Sequence, residues 1–231
     1  MNSFFESKKV LLVFAHPDDE VLACGGLLDK FKGQIDVEQI FIAEGESCRF
    51  DNPNSKKNYN TLVNSRIQSS IAAGKLLGIE NTTHLNYPCG RLDSIDIIEI
   101  NKKIEMKINQ FRPDLIITHF DGDNNNDHRI VSRSVQMAVR PIFDWNISVL
   151  EAEVLSSTEW SYESAFHPNF FIELDIENIK TKGDALTMYD KEIRNEPHSR
   201  SIFGIKALAS FRGVQVGKKY CEAFILRRLI S

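Results

Sequence analysis

The sequence predicts a three-layer α/β/α fold built on a mostly parallel sheet. Three observations carry this expectation. Short apolar runs alternate with segments of helical periodicity along most of the chain. The runs at 10–15 and 114–119 are apolar and rich in branched residues, as strands covered on both faces are. Polar clusters of His, Asp and Asn follow these runs, where open α/β sheets collect ligands at the carboxyl ends of their strands.

Taken in order, residues 10–15 form the first expected strand. A helix follows, with Val21, Leu22, Leu27, Leu28 and Phe31 as its apolar positions. A second strand is expected at 35–43, and the polar stretch 50–59 reads as a loop. The pattern at 61–77 is helical and closes at Gly78 as a C-cap. A strand at 83–87 ends at Pro88, and a helix at 95–111 stops before Pro113. Then come a strand at 114–119, a loop at 120–127 and a helix at 128–139. Two further strands, 149–154 and 169–174, are expected at the sheet edge, followed by a helix at 180–192 and a mixed end. No repeat or linker interrupts the pattern, so residues 1–231 are expected to form a single domain.

Composition narrows the function. The chain is 42% hydrophobic and 26% charged, which supplies one large core. Its formal net charge of −4 gives nucleic acids and acidic membrane surfaces nothing to attract. Cys24, Cys48, Cys89 and Cys221 show no CxxC spacing and read as reduced packing residues. No apolar stretch nears the roughly 18–20 residues of a membrane span, and the N-terminus lacks a signal-peptide core. The expectation is a cytoplasmic protein with no membrane span.

The chemistry concentrates at His16-Pro17-Asp18-Asp19-Glu20. An imidazole and a carboxylate three residues apart, across a strand-to-helix turn, can converge on one point above the sheet edge. His16 and Asp19 together suit Zn²⁺, and a third protein ligand would leave a coordination position open for water. His128, at the start of a helix after another strand-end loop, is the best candidate for that third ligand. Asp18 is the candidate base for the water, kept ionised by the helix N-terminus. Glu20 complements the helix dipole. Asp127 either orients an imidazole or caps the following helix.

These residues resemble a known family. Ala15 to Glu20, A-H-P-D-D-E, is similar to the signature of the PIG-L/LmbE-like family of zinc-dependent N-deacetylases. Arg66 with its helix and Leu77-Gly78, the turn Pro88 to Asp93, and the stretch Asp123 to Arg129 resemble further segments of the bacterial branch. So do residues 156–160, 197–201 and 221–224. The resemblance implies a Rossmann-like fold and hydrolysis of the N-acetyl group of an amino sugar or sugar conjugate. It implies His16, Asp19 and His128 as ligands of Zn²⁺ or Fe²⁺, and Asp18 as general base.

One departure stands out. Many members carry His where this chain has Asn125, and an amide can donate to an oxyanion but cannot be a general acid. His198, or the protonated Asp18 itself, is then expected to deliver the proton to the leaving amine. Arg49, Arg66 and Arg91 are candidates for holding substrate hydroxyl or phosphate groups, against ordinary salt bridges. Trp160 is either a sugar-stacking face or core, while His119 reads as packing. The partner is expected to be a small amino-sugar substrate, and relatives of this kind are often homo-oligomers. Two other readings are an amidase on another N-acyl conjugate and a catalytically silent sugar- or nucleotide-binding module.

Overall fold

Seven strands form one sheet in a computed structural model that describes residues 4–50 and 56–230. They are β1 (Lys9–Phe14), β2 (Asp36–Ala43), β3 (Asn81–Tyr87), β4 (Leu115–His119), β5 (Ser148–Ala152), β6 (Phe170–Leu174) and β7 (Tyr220–Arg228). Their order across the sheet is β3-β2-β1-β4-β5-β7-β6. Every pairing among β1 to β5 is parallel, whereas β7 runs antiparallel to both β5 and β6. Only β7 therefore opposes the common direction.

The alternation of side chains along β1 sorts the helices into two layers. Val10, Leu12 and Phe14 face a core shared with α1 (Asp19–Lys30), α2 (Lys56–Leu77), α5 (Ile176–Thr187) and α6 (Ile202–Val214). Leu11 and Val13 face the opposite core, shared with α3 (Ile97–Phe111) and α4 (Asn126–Ala138). Ile100, Ile104 and Ile108 recur at a spacing of four, so α3 lays one fully buried stripe on the sheet. Each such side chain contributes about 1.5–3 kcal/mol by leaving water. The expected three-layer α/β/α architecture with a mostly parallel sheet is present. Among the described residues, no helix is long and apolar enough to cross a membrane.

Some boundaries differ from the sequence expectation. Part of the expected loop at 50–59, residues 51–55, lies outside the described residues, and α2 is already helical from Lys56. Gly78 does close α2, with a φ of +80° that glycine adopts without a Cβ penalty. The strand expected at 149–154 is not at the edge: β5 lies between β4 and β7, and β6 holds the edge. The mixed end resolves into α6 and β7. Strand β7 is hard to read because it carries Glu222, Arg227 and Arg228 among its apolar residues. The helix expected at 180–192 is α5, which starts earlier because Asp175 and Asn178 form a reciprocal capping box.

The chain leaves β1 for β2 and β3 on one side and then crosses back through α3 to β4 on the other side of β1. The crevice where the order reverses, beyond the carboxyl ends of β1 and β4, is where open α/β sheets bind ligands.

Candidate metal centre

At the end of β1 the chain turns sharply. Asp18 has a φ of +117°, a conformation unusual for a residue with a Cβ. The turn is fixed from within: the His16 N–H donates to Asp19 Oδ2 at 2.8 Å, and the Asp18 N–H to Glu20 Oε2 at 2.9 Å. Asp18, Asp19 and Glu20 are fully buried, a costly placement for three carboxyl groups.

Asp19 Oδ2 is the convergence point. It lies 3.3 Å from His16 Nδ1 and 3.4 Å from His128 Nε2. His16, Asp19 and His128 are all buried, and their donor atoms lie within 4.8 Å of one another. Asp19 Oδ1 is buried without a hydrogen-bond partner. One carboxylate oxygen held between two imidazoles, with its twin left without a partner among the described residues, is what a cation site requires.

Each imidazole is backed by a second carboxylate. Asp127 Oδ2 is 3.0 Å from His16 Nε2 and also accepts the Gly90 N–H at 2.6 Å, while its Oδ1 accepts the Leu92 N–H at 3.2 Å. Asp123 Oδ1 is 3.2 Å from His128 Nδ1 and accepts the hydroxyl of Ser157, while Oδ2 accepts that of Thr158. Carboxylate–histidine pairs of this kind fix the ring orientation and raise its basicity toward an ion.

The electrostatics agree with a cation-seeking pocket. Burial pushes the His16 pKa down, but hydrogen bonds to Asp127 and Asp19 outweigh it and raise it to about 9. His128 behaves likewise: burial opposes its charge, and Asp19 and Asp123 carry it up to about 10. Asp123 resists burial through His128 and its hydroxyl donors, and is lowered to about 2. Three acids thus draw positive charge onto two imidazoles, a charge that a divalent ion would supply instead. The residues present fit such an ion.

His119 completes the inner wall. Its Nε2 accepts the Ala15 N–H at 2.8 Å, so the neutral ring carries its proton on Nδ1, and it stacks on His128 at 3.8 Å. Burial lowers its pKa well below the usual imidazole value. It supports His128, in keeping with the packing role expected for it.

Asp18 sits in a different network. Its Oδ1 pairs with Arg66 at 3.1 Å and its Oδ2 with Arg200 at 2.8 Å. Glu192 lies behind both, 2.6 Å from each guanidinium, and also holds Arg49. Burial raises the Asp18 pKa, while Arg200 and Arg66 pull it back. Asp18 stands at the N-cap of α1, as expected, and the two arginines add to what that helix end contributes in favour of its charged form. Glu20 does not simply face the helix dipole. It accepts the Tyr189 hydroxyl at 2.6 Å, and burial raises its pKa to about 8.

The remaining candidates fall in different places. Arg66 is buried, and its donors go to Pro17 O, Gly45 O, Glu46, Glu192 and Asp18 rather than to solvent. Arg49 is partly exposed beside Glu46 and Glu192. Arg91 is exposed on the turn whose Gly90 N–H holds Asp127. Asn125 caps α4 by accepting the Asp127 N–H at 2.9 Å, which leaves its amide NH₂ as the group open to a ligand. His198 Nδ1 accepts the Arg200 N–H at 3.0 Å, and its ring meets Trp160 edge-on at 5.9 Å. Trp160 is 49% exposed, so it is not core.

Sequence reasoning did not single out Arg200, Glu192, or Asp123. Asp123 lay within a quoted motif and could have been read as the partner of His128. Arg200 likewise lay within the segment 197–201 and Glu192 at the end of the expected helix, but both belong to the connection between α5 and α6, and only the fold brings them to Asp18.

The chain is 30% identical over 134 residues to a probable N-acetyl-alpha-D-glucosaminyl L-malate deacetylase 2 of Bacillus cereus, an alignment that spans 57% of this chain and 61% of that protein. Less than two thirds of that relative is therefore covered. It is 22% identical over 228 residues to the diacetylchitobiose deacetylase of Thermococcus kodakarensis, covering 95% and 83% of the two chains. In fold it superposes on the conserved protein TT1542 of Thermus thermophilus with a TM-score of 0.74 at 21% identity, over 97% and 96% of the chains. The sequence profile described as "PIG-L: GlcNAc-PI de-N-acetylase" matches residues 11–139. That segment is more than half of the chain and contains His16, Asp19, His128 and both backing carboxylates, and the chain belongs to the PIG-L family.

Proposed function

We propose that this protein is a metal-dependent N-deacetylase, hydrolysing the acetamide of an N-acetylated amino sugar or sugar conjugate to acetate and the free amine. The observation that carries the reading is the convergence of His16 Nδ1, Asp19 Oδ2 and His128 Nε2, with Asp19 Oδ1 unpartnered. The family supports the reaction class, and the relatives' names support an N-acetylated sugar as the substrate class. Two nitrogen donors and one oxygen donor suit Zn²⁺, with Fe²⁺ as the alternative. A bound ion would polarise the acetyl carbonyl and acidify the attacking water.

The chain's own groups do the rest. Asp18 accepts the proton of the attacking water, and Arg66 and Arg200 hold its two oxygens apart and oriented. Arg66, being buried, acts as a positioning residue and not as a substrate contact. The free amide NH₂ of Asn125 donates to the oxygen on which negative charge develops. The proton that Asp18 takes from the water is delivered to the departing amine, with His198, whose Nδ1 accepts the Arg200 N–H, as the alternative donor. Arg91 and the exposed edge of Arg49 hold substrate hydroxyls or phosphates.

The test is metal content together with acetate release from a panel of free, nucleotide-linked and lipid-linked N-acetyl sugars. Stoichiometric metal with acetate release on one class is expected. Bound metal with no acetate release across the panel would sink the reading.

A further inference from the structure

His16 has two edges, and the one facing away from Asp19 also meets metal-binding atoms. Cys89 and Asp127 form with His16 a second buried group whose donor atoms lie within 4.8 Å of one another. Cys48 brings a second sulfur: its Sγ lies 2.8 Å from Cys89 Sγ, and both thiols are free. This corrects the expectation that all four cysteines are packing residues, because Cys48 is exposed.

The two sulfurs are held together by the backbone around them. The Cys89 N–H donates to Glu44 Oε1 and to Ser47 Oγ, both at 2.9 Å, while Glu44 also accepts the Ser47 N–H. Gly90 has a φ of +72°, and a Cβ there would stand 3.2 Å from Cys48 Cβ. Glycine at that position lets the two segments approach. The donor set is one thiol, one carboxylate and one imidazole, with the Cys48 thiol against Cys89 as a second sulfur at its rim. Soft and borderline ions such as Zn²⁺ and Cd²⁺ take this combination in tetrahedral geometry, whereas Mg²⁺ and Ca²⁺ prefer all-oxygen sets.

We propose that Cys48, Cys89, Asp127 and His16 form a second, thiophilic cation site that competes with the first for His16. A neutral imidazole offers one lone pair. Ligation through Nε2 leaves the proton on Nδ1, and Nδ1 is the atom that faces Asp19. The same event takes Asp127 Oδ2 away from His16 Nε2. Binding releases the thiol protons to solvent and involves no redox change. Filling the second site therefore disables the first. The binding half of this inference stands on its own, and the inhibitory half rests on the deacetylase reading.

The test starts from metal-free protein with its thiols reduced, titrated with Cd²⁺ alone. The readout is the ultraviolet thiolate-to-cadmium charge-transfer band. A saturating band is expected in the wild type and in Asp19→Asn, which impairs only the first site. The band should weaken in Cys48→Ser, in Cys89→Ser more so, and be lost in the double variant, all of which keep Cys24 and Cys221. No band in the reduced wild type overturns the proposal, as does a band unchanged in Cys48→Ser. So does thiol titration showing Cys48 and Cys89 already joined as a disulfide in protein purified under reducing conditions.

For inhibition, excess Zn²⁺ should suppress acetate release by the wild type. Cys48→Ser should keep basal release and require about 10–100-fold more Zn²⁺ for the same suppression, the scale of losing a metal-site partner. Equal sensitivity of the two proteins overturns the inhibitory half. An absence of acetate release from every variant would instead count against the deacetylase reading, while the charge-transfer band would still report on the second site.

Discussion

Asp127 Oδ2 lies 3.0 Å from His16 Nε2 and 2.6 Å from the Gly90 N–H, so one carboxylate fixes both an ion-facing imidazole and the turn beside it. Removing it should loosen the ring without removing a ligand of the His16–Asp19–His128 site. Asp127→Ala is expected to lose about 10–100-fold in metal affinity or turnover. Competition with a chelator measures the first, and acetate release at saturating metal the second. Unchanged values for both would mean that His16 is oriented by something else.

The split between Asp18 and Asp19 tests the roles of the two adjacent carboxylates. Asp19→Ala should lose the ion, because it removes the oxygen between His16 and His128. Asp18→Asn should keep the ion and lose turnover by about 10²–10⁴-fold, the usual scale of general acid–base catalysis. Metal analysis of both purified variants decides the matter. An Asp18→Asn enzyme with near wild-type turnover would remove Asp18 from the reaction.

Arg200 bears on pH. Burial raises the Asp18 pKa, and Arg200 and Arg66 oppose that rise. Taking away Arg200 should push it higher still. The base works only when ionised, so Arg200→Ala should lose activity most at low pH and regain it as pH increases. The acid limb of the kcat/KM profile should therefore move to higher pH. A profile lowered uniformly, with its acid limb in place, would show that Arg200 does not act through the Asp18 charge.

Protons and the metal ion compete for the same imidazoles. His16 is raised to about 9 and His128 to about 10 by the carboxylates around them. Binding an ion must displace those protons. Apparent ion affinity is therefore expected to fall as pH is lowered below these values, and binding should release protons measurable by calorimetry in buffers of different ionisation enthalpy. At an ion concentration of 100 times its Kd, occupancy adds about 2.7 kcal/mol of stability. Chelation should lower Tm accordingly, and an unshifted Tm would argue against a resident ion.

The sequence made some of this legible and hid the rest for physical reasons. His16 and Asp19 could be read because a strand, a turn and a helix lie consecutively in the chain, and local geometry alone makes the two side chains converge. His128 was legible because parallel strands bring all their carboxyl-end loops to one edge. Glu192 read as the end of a helix and Arg200 as one residue of a family segment, and their role exists only because the α5–α6 connection folds back onto the turn after β1. Arg66 read as a substrate contact since nothing local indicates that its donors are all taken by protein acceptors. Strand β7 was missed because Glu222 interrupts its apolar pattern.

Glu222 itself explains how the helix behind the site keeps its shape. Helix α1 bends at Cys24, whose φ of −141° leaves the helical region. The bend disturbs the i→i−4 ladder, and Glu222 takes the N–H groups of Gly26 at 2.8 Å and Leu27 at 2.6 Å. Lys182 Nζ, 2.7 Å from Glu222 Oε1 and 2.8 Å from Leu22 O, balances the charge. Both side chains are buried. Glu222→Leu should therefore cost about 3–5 kcal/mol, chiefly by leaving the Lys182 ammonium buried and unpaired. The double variant Lys182→Met with Glu222→Leu should be less destabilised than the sum of the two single changes. Denaturant midpoints for the four proteins measure the coupling, and strict additivity would show that the pair does not act as a unit.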